Sequence, residues 1–173
     1  MAESTLETEY SKQSNHIFNE LGKQLLDKDN IKVVKITKND SIKNKVEVIF
    51  KSIEQDKLIL LTGLSNSIAK LICITEIVKQ KQNEQQQQQQ QHEPSQKLDQ
   101  YNKLLHIDST VNPSYKPIPE KENKKVDTKQ LEKEALQEIK GPKIYTLPVL
   151  YIVIGKHSIV SNIELVNWTK QDK

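Results

Sequence analysis

The chain has 173 residues and a mass of 20.0 kDa, of which 28% are charged and 35% hydrophobic, with a formal charge of +3. This length holds one domain with a hydrophobic core but is short for two, and no apolar run reaches the roughly 18 residues that a membrane span requires. The single cysteine, Cys73, excludes an internal disulfide and a cysteine-based zinc site. A reducing compartment is therefore expected, and the N-terminus lacks the basic and apolar regions of a secretory signal.

All 26 basic residues other than histidine are lysines. Lysine meets a phosphate group as a point charge, whereas paired hydrogen bonds to guanine usually come from arginine. The mildly basic composition therefore permits contacts to a nucleic-acid backbone and argues against sequence-specific reading of the major groove.

Residues 1–29 place Tyr10, Ile17, Phe18 and Leu21 at helical spacing. They predict an amphipathic helix outside the core domain. Such a helix could cover a sheet edge or dock a partner, and the sequence leaves both readings open.

Residues 30–82 form the first part of the predicted domain, in which two strands alternate with two helices. The strands are predicted at residues 31–37 and 58–62, and the helices at residues 42–53 and 68–81. The second helix has an unusually wide apolar stripe, so we expect one side to face the sheet and the other a protein partner. The predicted partner interface consists of Leu71, Ile74, Ile77 and Val78.

Residues 83–97 are rich in glutamine and predict a disordered loop. The second part of the domain covers residues 98–168, with strands near residues 98–108 and 147–154. Between these strands lies an insertion at residues 110–143 that contains a short helix with Leu131, Ala135, Leu136 and Ile139 on one face. Residues 169–173 form the tail.

The predicted fold is of the α/β (α+β) class, in the order β-α-β-α-β-β. Right-handed crossovers place both helices on one face of a small mixed four-stranded sheet. The last two strands form a hairpin with an enlarged tip.

Two stretches of this pattern, residues 34–44 and 62–79, resemble the Alba superfamily of nucleic-acid-binding proteins. Ile42, Lys43 and Asn44 are similar to the family's opening of its first helix, and Gly63 and Lys70 to its second turn and helix. Residues 149–156 resemble the family's final strand. The order and spacing are most similar to the Alba-like subunits of nuclear ribonuclease P and MRP.

The chain departs from the family pattern at two places. The second turn has Ser65 and Asn66 where the family commonly has glycine and arginine, and that arginine contacts nucleic acid in the family. The hairpin insertion exceeds the family's short arm and looks more like a protein-docking element.

Lysines and polar residues flank both predicted helix starts. Because the two turns should meet at one end of the sheet, and helix N-termini favour phosphate, these residues could form one basic edge. The candidate nucleic-acid-binding residues are Lys38, Lys43, Lys45, Ser65, Asn66 and Lys70.

No pattern for catalysis or metal binding appears. The histidines His16, His92, His106 and His157 belong to separate elements without metal-ligand spacing, and the sequence lacks a glycine-rich phosphate loop. We therefore expect no enzyme, no catalytic residues, no cofactor, no metal site and no small-molecule substrate.

Three functions stay open. The first is an RNA-binding subunit that is half of a heterodimer with another Alba-like chain, in a ribonuclease P/MRP-type ribonucleoprotein. The second is an accessory subunit of a DNA-modifying complex, such as a nuclear adenine-N6 DNA methyltransferase, and the third is a protein scaffold. All three predict a hetero-oligomer without membrane contact, in the nucleus with the cytosol as an alternative.

Overall fold

The computed structural model describes residues 2–25, 27–88, 96–110, 128–141 and 143–171. The strands among them are β1 (Ile31–Ile36), β2 (Leu58–Leu64), β3 (Leu98–Ser109), β4 (Tyr145–Lys156) and β5 (Thr169–Lys170). The helices are α1 (Ala2–Gln24), α2 (Ile42–Glu54), α3 (Ile68–Gln88), α4 (Thr128–Lys140) and the short α5 (His157–Val160).

The described strands form one mixed sheet in the order β1-β2-β4-β3-β5. β1 and β2 are parallel, and the other neighbours are antiparallel. The predicted order of strands and helices along the chain and the hairpin of β3 and β4 are therefore confirmed. The prediction of four strands was wrong by one, because Thr169 and Lys170 pair with Asn102 and Tyr101 at the edge of β3.

Helices α2 and α3 cover one face of the sheet, as the crossover rule predicted. Their apolar stripes pack on alternate residues of the strands, since successive strand residues point to opposite faces. The core on this side contains Val46, Ile49 and Ile53 of α2, Leu71, Ile74 and Val78 of α3, and Ile59, Leu61, Ile152 and Ile154 of the sheet.

Gly63 permits the close approach of α3. A Cβ atom at this position would lie 3.2 Å from Leu71 Cδ2 and 3.4 Å from Leu71 Cβ. Because the shorter of these distances is tighter than ordinary van der Waals contact, a larger residue would require the Leu71 side chain to shift by a few tenths of an ångström.

Helix α1 covers the opposite face of the sheet. Tyr10, Ile17 and Leu21 are buried there together with Tyr151 and Val153 of β4. Of the two readings left open for this helix, the structure supports packing, although the helix covers a face of the sheet and not its edge. The helix also belongs to the folded core, and the expectation that it lies outside was wrong.

The residues after β4 dock on the same face as α1. Val160 and Ile163 are buried, and Leu165 and Trp168 pack against them. Gln24 ties α1 to this segment through hydrogen bonds with the backbone of Glu164, one in each direction, at 3.0 and 2.6 Å. The sheet therefore has a cluster of packed apolar side chains on each of its two faces.

The first residues of the predicted glutamine-rich loop are helical, because α3 continues to Gln88. The prediction of a disordered loop was wrong for residues 83–88, and residues 89–95 lie outside the described residues. The predicted insertion contains α4, whereas residues 111–127 and 142 of that insertion also lie outside them.

Candidate nucleic-acid interface

The turns before α2 and α3 lie side by side at one edge of the sheet. Parallel pairing ends with Ile36 opposite Gly63, so residues 37–41 and the helical turn Ser65–Ser67 leave the sheet at the same place. We call these two turns, with Lys43, Lys45 and Lys70, the basic edge.

Lys70 connects the two turns directly. Its Nζ donates hydrogen bonds to the carbonyl oxygens of Lys38 and Asp40, the second at 2.8 Å. The first turns of α3 are thereby held against the turn that precedes α2. The ammonium group is committed to these carbonyls, so Lys70 both charges the basic edge and stabilises it.

Asp40 organises the turn before α2. Its Oδ2 accepts a hydrogen bond from the Thr37 N–H at 2.6 Å and lies 3.4 Å from Lys45 Nζ. Lys45 Nζ also donates to the Lys35 carbonyl at 2.9 Å. Desolvation raises the pKa of Asp40, but the hydrogen bonds with Thr37 and the charge of Lys45 outweigh it and lower the pKa below its usual value.

The remaining candidate residues differ in exposure. Lys38, Lys43 and Asn66 are exposed, whereas Ser65 is half-buried and has a positive φ of 49°. Ser41 caps α2, since its Oγ accepts a hydrogen bond from the Asn44 N–H at 3.4 Å. The structure therefore brings all six predicted residues to one edge and leaves Lys38 and Lys43 as its accessible charges.

The β3–β4 hairpin extends past this edge. Val149 pairs with Leu64, the last residue of β2, while β4 continues to pair with β3 as far as Tyr145 and Ser109. The hairpin therefore projects beside the basic edge. Lys143 Nζ lies 5.2 Å from the centre of the Tyr145 ring, at the start of β4.

The predicted partner interface requires a correction. Leu71, Ile74 and Val78 are fully buried in the chain's own core, and Ile77 is half-buried against the same cluster. Leu71, Ile74 and Val78 face the sheet and α2, so they are not available to a partner, whereas Ile77 stays partly exposed. The outer face of α3 presents Ile72 and Cys73 instead.

Two features of the edge were not anticipated. The acceptor role of Asp40 had a local signal, because an aspartate three residues after Thr37 can close a turn through its side chain. The contact of Lys70 with two carbonyl oxygens had no local sequence signal, because this contact depends on how α3 approaches α2. Within the described ranges, no group of three or more His, Cys, Asp or Glu residues could hold a metal ion, and no described helix is long and apolar enough to cross a membrane.

No curated protein matches the chain. Residues 32–93, which run from β1 through α3, match the family model described as Alba. The mixed sheet with two crossover helices agrees with an Alba-like fold. Alba domains are generally non-catalytic and commonly bind nucleic acids and form oligomers. The match over residues 32–93 supports an Alba-like domain in this part of the chain, and it suggests a nucleic-acid-binding role.

Proposed function

We propose that this chain is a non-catalytic nucleic-acid-binding subunit of a nuclear multiprotein complex. In this proposal it works as half of a heterodimer and binds RNA in a ribonucleoprotein of the ribonuclease P/MRP type. The observation that carries the proposal is the meeting of two helix-preceding turns at one basic edge, where Lys70 joins them.

The chemistry of this edge suits phosphate. The N-terminus of α2 directs backbone N–H groups and the positive end of its dipole toward the turn that contains Lys38. Lys38 and Lys43 are exposed beside it. Lysines at such a place bind the backbone of a nucleic acid without reading its sequence.

A heterodimer is favoured by the outer surface of α2 and α3. Ile42, Val48 and Ile72 are 39%, 42% and 46% exposed on these helices. Apolar side chains on the helices of an otherwise polar surface suit contact with another subunit. A second Alba-like chain is the partner that this proposal names.

A second candidate function is an accessory subunit of a DNA-modifying complex, such as a nuclear adenine-N6 DNA methyltransferase, or a scaffold. Two observations favour it. Asn66 occupies the turn position where an arginine would strengthen phosphate binding, and α4 in the hairpin insertion exposes Leu131, Leu136 and Ile139. An amphipathic helix with an exposed apolar face suits protein docking.

Purification of the tagged chain from nuclear extract tests these functions, with mass spectrometry of the proteins and sequencing of bound RNA and DNA. A discrete RNA with a second Alba-like chain is the expected result. Recovery of a DNA-modifying enzyme without a discrete RNA would contradict the RNA-binding function and support the accessory function.

A matched pair of variants tests the basic edge in the same purification. Lys38→Glu with Lys43→Glu should release the nucleic acid but retain the protein partner. Lys97→Glu with Lys170→Glu makes the same change of charge at exposed positions near the opposite end of the sheet and should release nothing. If both double substitutions release the nucleic acid to the same extent, the nucleic acid is bound by the overall charge of the chain alone.

A further inference from the structure

We propose that the cavity between α1 and the basic edge holds one unstacked base of a single-stranded nucleic acid. This inference rests on the proposed nucleic-acid-binding function and adds to it the strandedness of the ligand. The cavity is built by Leu6 and Tyr10 of α1, Leu64 of β2 and the end of β1. Helix α1 lies outside the segment that matches the Alba model.

The size and lining of the cavity suit a small planar group. Its volume is about 320 Å³, which is at the small end of the range for ligand pockets. Leu6, Leu64 and the Tyr10 side chain give it mainly apolar walls. Tyr10 is held in place by a hydrogen bond of 2.9 Å between its hydroxyl and Thr62 Oγ1.

The cavity is continuous with the basic edge. Thr37 and Ser67 line it, and both belong to the two turns that form the edge. Thr37 directly precedes Lys38 in the chain. A strand whose phosphate contacts Lys38 therefore has its neighbouring base close to the mouth of the cavity.

Polar groups at the mouth fit the edge of a base. Glu7 Oε1 lies 3.5 Å from Lys35 Nζ in a pair that is largely exposed, and such pairs contribute little to stability. The Glu7 carboxylate can therefore accept a hydrogen bond from the exocyclic amino group of a base. The Lys35 ammonium lies 4.7 Å from the centre of the Tyr10 ring, so a cation also stands beside the apolar wall.

A duplex does not satisfy this site, because its bases are stacked and paired. A base from a single strand can turn out of its stack, and its transfer to an apolar or aromatic surface is favourable. We therefore expect single-stranded RNA or DNA to bind about tenfold more tightly than a duplex of the same length and charge.

The test uses the full-length chain and a short single-stranded RNA that carries one 2-aminopurine, whose fluorescence rises when the base leaves its stack. Binding to the wild-type protein should raise the emission. Thr37→Met narrows the mouth at an exposed position without changing charge, and Leu6→Gln makes one wall polar. Both should weaken single-strand binding about tenfold and abolish the rise. Val166→Gln changes an exposed apolar residue elsewhere and should change neither.

Three results would overturn the inference, and they differ in what else they reject. One result is that the RNA binds with the expected salt dependence, but its emission does not rise and both cavity variants bind it as tightly as the wild-type protein. Only the base site is then rejected. If neither single strands nor duplexes bind, the base site and the proposed nucleic-acid-binding function are both rejected. Equal affinity for single strand and duplex also rejects the base site.

Discussion

Lys43 and Lys70 both charge the basic edge, but they act in different ways. Lys43 is exposed, whereas Lys70 donates hydrogen bonds to two backbone carbonyls in the turn before α2. A lysine that stabilises a turn and a lysine that only meets solvent should respond differently to the loss of their charge. Substitution of both together would mix an effect on binding with an effect on stability.

Lys43→Met should therefore reduce the salt dependence of nucleic-acid binding by about one ion and leave the free energy of unfolding within about 0.5 kcal/mol of the original. Lys70→Met should lower the free energy of unfolding by about 1–2 kcal/mol, because two carbonyls lose a charged donor. Urea denaturation and binding titrations at several salt concentrations measure both. Equal stability of the two variants would show that the Lys70 contacts are unimportant.

The ionised Asp40 carboxylate makes the free energy of unfolding depend on pH in the acid range. Its pKa in the folded chain is lowered, so its stabilising contribution is complete above the unfolded-state pKa of about 3.9 and is lost as the pH falls through the folded-state pKa. Asp40→Asn should consequently show a smaller loss of unfolding free energy below pH of about 4 than the unaltered chain. Parallel acid profiles for the two proteins would contradict this assignment.

At the scale of elements, α3 has a buried face and an exposed face only two residues apart. Ile74 is fully buried beneath α2 and against the sheet, whereas Ile72 is 46% exposed. Burial makes Ile74 a core residue, and exposure makes Ile72 available to a partner.

Ile74→Ala should lower the free energy of unfolding by about 2–5 kcal/mol, since it leaves a cavity in a packed core. Ile72→Ala should change stability by less than about 0.5 kcal/mol and weaken association with the proposed partner. Thermal unfolding and co-purification distinguish the two effects. An Ile72→Ala variant that keeps its full affinity for the partner would place the interface on another surface.

Hydrophobic periodicity was sufficient to predict four strands, both crossover helices and α4. It was insufficient for the partner face of α3, because a helix with isoleucine at positions 72, 74 and 77 is apolar on several sides. Which side is buried depends on the approach of α2 and the sheet. Strand β5 was missed for a related reason, since two polar residues, Thr169 and Lys170, carry no periodic signal and join the sheet only through tertiary pairing.

At the scale of the whole molecule, the Alba match alone understates the folding unit. The match covers residues 32–93, but one face of the sheet packs against α1 and against residues 157–168. Without α1, apolar side chains such as those of Leu60 and Val153 would lose much of their cover.

A chain that lacks residues 1–26 should therefore lose cooperative unfolding or bind a dye for exposed apolar surface. Removal of residues 128–140, which form α4, should preserve cooperative unfolding, because Leu131, Leu136 and Ile139 are exposed and contribute little to the core. Circular dichroism during urea titration measures both. A fully cooperative transition in the shortened chain would show that α1 is dispensable for folding.

The contacts of α1 have a consequence for synthesis on the ribosome. Helix α1 is synthesised before the strands of the sheet, yet Gln13 and Ser14 hydrogen bond with Tyr151, which follows them by 138 and 137 residues. At translation speeds of about 5–20 residues per second, the apolar side of α1 waits at least several seconds before its packing surface exists. During that interval the nascent chain exposes Ile17 and Leu21, and it is then most open to chaperone capture and aggregation.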